Sequence, residues 1–353
     1  MARGVVAGNS MIPIHNLYYM LAYAFRVLQE REYVKCAAEA FENAADLLAA
    51  ILCKGIAIQV RRGLGRDYQN ETAPLMCLRG KVELTASMQP KHLLQQRMVC
   101  SFDEFTTDCY LNRILKTTMV WLLKCKIAIE RKKQLRNLLL YFEGVEVLEH
   151  AHINWGCRFN RNNQSYQMLV AICKLVLTGM IQSKREGTIE LLDFDDEHKA
   201  RLYERFILEY YRKHFPELNA SAQHIDWAIM DGEDDGFLPQ MRSDITLSKG
   251  NKILIIDAKY YAENAQSRYD TPKARSAHLY QIFTYVKNKQ VAFPEAEVSG
   301  MLLYAKTAED FQPQSQYTLS GNKFILRTLD LNCPFEALAN QLNVIAQSFP
   351  PRS

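Results

Sequence analysis

The segment Lys252-Ile-Leu-Ile-Ile-Asp257-Ala-Lys259-Tyr-Tyr261 constrains the fold of this chain more than any other. Its aliphatic, β-branched run predicts a strand, whose side chains alternate between two faces. Ile253, Ile255, Asp257 and Lys259 then share one face, while Leu254, Ile256, Ala258 and Tyr260 share the other. An acid and a lysine point the same way at the end of an apolar strand. A preceding strand is expected over residues 243–247, joined to it through Ser248-Lys249-Gly250-Asn251. Closure about Lys249-Gly250 pairs Leu247 with Lys252 and sets Asp244 opposite Ile255, on the face that carries Asp257. Opposite Cβ atoms on paired strands lie about 5 Å apart and diagonal ones about 7–8 Å, so both carboxylates can converge on one cation.

Paired carboxylates suit a hard cation such as Mg²⁺, which keeps several waters and binds phosphate oxygens directly. Such an ion neutralises charge developing on a phosphodiester and lowers the pKa of an attacking water. A lysine beside it can position that water or stabilise the pentacovalent transition state. Asp244, Asp257 and Lys259 are therefore the candidate catalytic residues, with Asp244 and Asp257 as metal ligands.

The spacing of an acid, twelve residues and then Asp-Ala-Lys resembles the PD-(D/E)xK nucleases, although Ser243 stands where a proline often precedes the first acid. Downstream, His278-Leu-Tyr-Gln281-Ile-Phe-Thr-Tyr285 puts Gln281 and Tyr285 on one face of an expected helix over residues 274–287. That Gln-x-x-x-Tyr helix resembles the RecB-like branch of these nucleases. Such enzymes often add an acid from a preceding helix. Here the helix expected over 198–214 offers Glu204 and Glu209; Leu-Tyr-Glu-Arg-Phe places Glu204 best, and a solvated glutamate is the alternative for either.

At 353 residues the chain predicts two domains. Helical periodicity covers 16–28 and 41–54, and Gly63, Gly65, Pro74 and Gly80 break up short runs between 56 and 88 as hairpins would. Asp108 is placed to cap a helix through Leu111, Ile114, Leu115, Thr118 and Leu122, and a further helix is expected over 165–179. Polar residues 182–187 mark the favoured boundary. The expected fold class is α+β, with a mixed helix and β-hairpin domain over 1–185 and a mixed sheet flanked by helices, of restriction-endonuclease type, over 186–353.

The N-terminal half carries its own pattern: Ile12-Pro-Ile-His-Asn-Leu-Tyr-Tyr-Met-Leu-Ala-Tyr-Ala24, Arg61-Arg-Gly-Leu64, Leu78-Arg-Gly-Lys-Val-Glu83, Phe102-Asp-Glu-Phe105 and Leu111-Asn-Arg-Ile-Leu115. Together with the acid and lysine motif, this order is similar to the McrC family of nuclease subunits of McrBC modification-dependent restriction systems. The resemblance implies a partner, a McrB-like AAA+ GTPase hexamer that binds GTP and recognises double-stranded DNA carrying modified cytosine. It also implies that the N-terminal half docks into that ring and stimulates its GTPase. Arg61, Arg62, Arg66, Arg79 and Lys81 are the candidate ring contacts, since arginines pair bidentately with phosphates or carboxylates; a solvated basic rim is the alternative.

Other classes are disfavoured. The chain has no G-x-x-x-x-G-K-[ST] phosphate loop, so GTP belongs to the partner, and no H-E-x-x-H or G-x-S-x-G motif. Nine cysteines without a C-x-x-C pair argue against a zinc knuckle or a disulfide framework. With no apolar leader and no run near the roughly 18 apolar residues of a membrane span, a reducing cytoplasm is the expected location. Lys plus Arg at 43 against Asp plus Glu at 39 neither demands nor excludes a polyanion. The basic run from Lys124 to Arg136 reads better as a solvated helix end than as a DNA contact. Two rival functions remain, a non-catalytic regulator of an AAA+ partner and a stand-alone DNA repair nuclease.

Overall fold

The computed structural model describes residues 14–25, 41, 43–161, 163–178, 180–185, 188–194, 196–229, 231–232, 236–260, 265–268, 271–274, 276–306 and 312–349. They form two compact units, one within residues 40–193 and one that joins the N-terminal residues to those from 194 onward.

In the first unit, α2 (Ala44–Arg62) is buried along most of its length. Asn43 caps it by accepting from Asp46 N–H, and buried Asp46 in turn accepts from Ala128 N–H. Sequence periodicity predicted that this helix ends near residue 54, with hairpins from 56. Instead it continues through Gly55 to Arg62, so Arg61 and Arg62 are its exposed last turn. The Ile-Ala-Ile-Gln-Val run reads as strand-like alternation, but the helix buries Ile56 and Ile58 among its neighbours. Strands β1 (Asp67–Leu75), β2 (Lys81–Val82) and β3 (Met98–Thr106) form a small sheet in the order β1-β3-β2, with short helices α3 (Leu84–Ser87) and α4 (Pro90–Leu94) between the last two.

Helices α5 (Tyr110–Leu123), α6 (Ile129–Leu139) and α7 (Tyr166–Thr178) complete the helical part. Cys109, not Asp108, occupies the cap position of α5. Asp108 instead grips Arg113 through two 2.7 Å hydrogen bonds and accepts from Glu146 N–H. Residues 182–185 of the polar stretch expected to divide the domains lie in β4 (Met180–Arg185), which pairs with β5 (Thr188–Phe194), while 186–187 lie outside the described residues; the units divide after this pair.

The second unit is built on a five-stranded mixed sheet. Its strands are β8 (Ile245–Lys249), β9 (Lys252–Lys259), β12 (Glu297–Ala305), β13 (Ser315–Leu319) and β14 (Asn322–Leu329), in the order β13-β14-β12-β9-β8. Between them the chain forms short pairs, β6 (His224–Ile225) with β7 (Met241–Arg242), and β10 (Ala265–Arg268) with β11 (Thr271–Ala274). The β9 to β12 crossover runs through α9 (Ser276–Ala292), which covers one face of the sheet. Ile282, Tyr285 and Val286 of α9 pack there with Ile253, Ile255, Leu302, Tyr304 and Phe324. Gly300 lets the helix approach, because a Cβ there would sit 2.8 Å from Ile282 Cγ1 and 2.8 Å from Val286 Cγ2.

Helix α8 (Asp196–His214) carries the aromatic stripe Tyr203, Phe206, Tyr210 and Tyr211, and α10 (Phe335–Ala346) accepts the Tyr211 hydroxyl at Leu342 O. Helix α1 (Ile14–Ala24) belongs to this unit as well, although the division at 185 assigned it to the N-terminal domain. Tyr23 OH meets His214 Nε2 at 2.7 Å, Tyr19 stacks on Phe335, and Asn16 Nδ2 donates to Leu331 O and Cys333 O. Helical periodicity announces a buried face without naming what covers it. Among the described residues, no helix is long and apolar enough to cross a membrane.

Candidate active site

The β8–β9 hairpin sets the two acids. Its ladder runs from Lys249↔Lys252 to Ile245↔Ile256, so a two-residue turn, Gly250-Asn251, replaces the expected longer connection. Gly250 has φ +59°, which a residue with a Cβ rarely adopts. The register therefore differs by two residues from the expected Leu247 to Lys252 pairing. An even shift preserves the face, and it brings Asp244, just before β8, level with Asp257 rather than Ile255. Asp244 Oδ2 accepts from Ala258 N–H at 2.8 Å, which ties the acid to β9.

Asp257 is 2% exposed, beside Leu302 in the parallel β9–β12 ladder. Burial pushes both carboxyls up. Asp244 rises to about 8, through desolvation and then the charges of Asp257 and Glu204. Asp257 is raised mainly by burial, against the lowering effects of Lys259 and a hydrogen bond with Asp244. Lys259 Nζ lies 2.7 Å from Asp257 Oδ2 and donates to Gln281 Oε1 at 3.0 Å. Gln281 Nε2 in turn donates to Tyr285 OH at 3.0 Å. The Gln-x-x-x-Tyr spacing thus becomes a tether for the lysine.

Glu204 and Glu209 part company. Glu204 is half-buried, and its carboxyl is raised by desolvation with a further push from Asp257, while Lys259 and Arg201 oppose this. It belongs electrostatically to the Asp244, Asp257 and Lys259 group. Glu209 is buried and ion-paired with Arg205 at 3.2 Å and Arg212 at 2.9 Å, a structural arrangement within α8.

The donor set fits a hard divalent cation. Asp257 Oδ2 is buried and lacks a hydrogen bond of normal geometry, although Lys259 is close, so its lone pairs are poorly satisfied by the protein alone. Among the described residues no group of three or more His, Cys, Asp or Glu side chains could hold a metal ion. Two carboxylates are what Mg²⁺ takes when water and substrate oxygens complete its shell.

The five basic candidates of the first unit do not form one hairpin surface. Arg61 and Arg62 end α2, Arg66 lies over the Phe105 ring, Arg79 pairs with Glu104 at 3.2 Å, and Lys81 pairs with Glu83 at 3.1 Å. Sequence reasoning missed a more unusual feature of the same module: Met76, Leu78, Leu84, Met88, Leu93 and Leu94 are 58–86% exposed. Their signal was apolar residues at neither helical nor strand period within a stretch broken by turns.

Comparison with known proteins agrees with the resemblance. The family described as McrBC 5-methylcytosine restriction system component matches residues 8–305. The chain is 29% identical over 342 residues to the type IV methyl-directed restriction enzyme EcoKMcrBC of Escherichia coli (strain K12), covering 94% of this chain and 96% of that relative. Its fold is similar to a chain in the refined half-complex from the tetradecameric assembly of Thermococcus gammatolerans McrB AAA+ hexamers with bound McrC. The TM-score is 0.54 at 18% identity, over 96% of this chain and 77% of the other.

Proposed function

This chain belongs to the McrBC 5-methylcytosine restriction system component family, and from that premise we propose that it is the DNA endonuclease subunit of a McrBC-like complex. In this reading the second unit is a PD-(D/E)xK nuclease domain that hydrolyses phosphodiester bonds. The observation that carries it is the alignment of Asp244 with Asp257 across a hairpin, with Lys259 2.7 Å from Asp257. Asp244 and Asp257 would hold Mg²⁺, and Glu204 adds negative charge beside them. Bound there, the ion would neutralise charge on the scissile phosphate and lower the pKa of the attacking water.

The chain's own groups do the rest. Lys259, held by Gln281 and through it by Tyr285, presents a fixed ammonium that orients the water and faces charge developing on the phosphate. The apolar neighbours of Asp257 exclude bulk water and strengthen each of these interactions. The first unit, with Arg61, Arg62, Arg66, Arg79, Lys81 and the exposed apolar residues of 76–94, is the proposed docking surface for a McrB-like AAA+ GTPase hexamer, whose GTP hydrolysis it stimulates. An apolar surface rimmed by charge suits a protein partner. Recognition of modified cytosine in double-stranded DNA, and GTP binding, fall to that partner in the cytoplasm.

The test is cleavage of methylated and unmethylated plasmid DNA with Mg²⁺, GTP and the AAA+ partner, comparing the native chain with Asp257→Ala. Partner-dependent cleavage that vanishes in the variant, with stimulated GTP hydrolysis retained, is the expected result. Uncut DNA with GTP hydrolysis still stimulated would leave the chain a regulator.

A further inference from the structure

We propose that the buried His278–Tyr304 pair is a positioning element for Lys259, so that the lysine is aligned by residues outside the acid and lysine motif. The inference rests on the nuclease reading, and its test separates the two.

The pair stands beside the lysine. In the parallel β9–β12 ladder, Tyr304 is level with Lys259 and Leu302 with Asp257. Tyr304 and Leu302 belong to the α9-facing core with Ile253 and Ile255, whose parity Asp257 and Lys259 share. Tyr304 is 0% exposed and His278 7%, and His278 Nδ1 and Tyr304 OH are hydrogen-bonded at 3.1 Å. On α9, His278, Gln281 and Tyr285 fall at i, i+3 and i+7, one continuous face.

That face meets the sheet through two polar ties about one helical turn apart. One is His278 to Tyr304; the other is Gln281 to Lys259. A core position of this kind ordinarily takes an aliphatic or phenyl side chain, because a buried polar group is costly unless paired. Lysine has four side-chain torsions, each with staggered alternatives. Besides its 2.7 Å approach to Asp257 Oδ2, Nζ is oriented by Gln281, and that bond holds only as well as α9 is fixed against β9 and β12. The His278–Tyr304 tie supplies that fixation on the strand next to the lysine, at the first turn of α9. Nothing in phosphodiester chemistry needs an imidazole there, so the role is positional.

Three variants separate position from mere packing. Tyr304→Phe removes the hydroxyl and keeps the ring. His278→Leu removes the bond, and His278→Asn keeps a polar group near the Nδ1 position. In the complete complex, Tyr304→Phe and His278→Leu are expected to lower kcat for DNA cleavage about tenfold, the scale of one lost buried hydrogen bond. KM for DNA and stimulated GTP hydrolysis stay unchanged, and His278→Asn recovers most of the rate. Independently of cleavage, acylation of Lys259 by an amine-reactive ester, read by peptide mass spectrometry, should accelerate about threefold or more in the two disruptive variants, because the side chain is only 12% exposed when held. Lys287 and Lys289, farther along α9, serve as internal references. Native-like kcat and native-like Lys259 acylation in Tyr304→Phe, the variant least able to misfold, would overturn the inference. So would a general rise in acylation of all three lysines, which marks a structural role. Failure of the native complex to cut DNA would instead count against the nuclease reading, and the acylation arm would still judge the pair.

Discussion

Mg²⁺ binding to this protein should release nearly one proton at neutral pH. Burial, with the charges of Asp257 and Glu204, lifts the Asp244 carboxyl to about 8 in the metal-free protein. A group with that pKa retains about 0.9 proton at pH 7 and about 0.1 at pH 9. Metal ligation takes the carboxylates ionised, so the retained proton must leave. Titration calorimetry in buffers of different ionisation enthalpy reads the number directly. The slope should be at least about 0.9 at pH 7, because the neighbouring Asp257 carboxyl is raised as well, and should fall toward zero at pH 9 and drop in Asp244→Asn. The same shift fixes a sign for stability. The folded-state pKa lies above the ordinary 3.8, so between the two values the folded form binds more protons than the unfolded form. Metal-free stability then falls as pH rises from about 4 to about 8, by at most about 1.4 kcal/mol per pH unit, and this group adds no slope beyond. Added Mg²⁺ should recover part of that loss at pH 8. A proton release near zero at pH 7 would refute the argument, since it would mean that the acids are already ionised and solvated.

Four further perturbations test separate parts of the molecule. Glu209→Gln breaks an ion pair whose acid is buried but whose arginines are half-exposed, so it should cost about 2 kcal/mol in denaturant unfolding. Glu204→Gln should leave the unfolding midpoint near native while weakening Mg²⁺ binding. Gly300→Ala drives a methyl to 2.8 Å from Ile282 and Val286 and should cost about 1–3 kcal/mol, partly recovered by adding Val286→Ala. Leu94→Asp, at a position 86% exposed, should melt like the native chain yet reduce partner-stimulated GTP hydrolysis; unchanged stimulation would remove this residue from the docking surface.

The acid and lysine group was legible because it depends on parity rather than exact register. The hairpin expected from the sequence was wrong by two residues, yet two is the strand period, so Asp244 stayed on the face of Asp257. A one-residue error would have put the acids on opposite faces. Likewise Gln281 and Tyr285 needed only helical spacing to share a face, whereas their link to Lys259 required the crossover to lay α9 on that side of the sheet. Leu-Tyr-Glu-Arg-Phe favoured Glu204 without excluding Glu209, since both stand beside the same aromatic stripe; what distinguishes them is Arg205 and Arg212, which claim Glu209. His278 and Tyr304 lie 26 residues apart on a helix and a strand, so no local pattern announced their hydrogen bond.

Helix α1 shows why local pattern and domain plan are separate problems. Its apolar face was evident in Leu17, Met20 and Leu21, all buried as expected. The polar groups on the same helix carry the information about what covers it: Asn16 satisfies the carbonyls of Leu331 and Cys333, and Tyr23 satisfies His214. Those partners lie roughly two hundred to three hundred residues away in sequence, beyond any periodicity argument. The second unit therefore takes its first helix from one end of the chain and its sheet from the other, with the whole first unit inserted between them. A chain beginning at residue 194 would lack α1 and uncover Phe206, Tyr210 and Phe335, which its aromatic side chains contact. The second unit is thus discontinuous in sequence, and the first unit is better understood as an insertion into it than as a domain that precedes it.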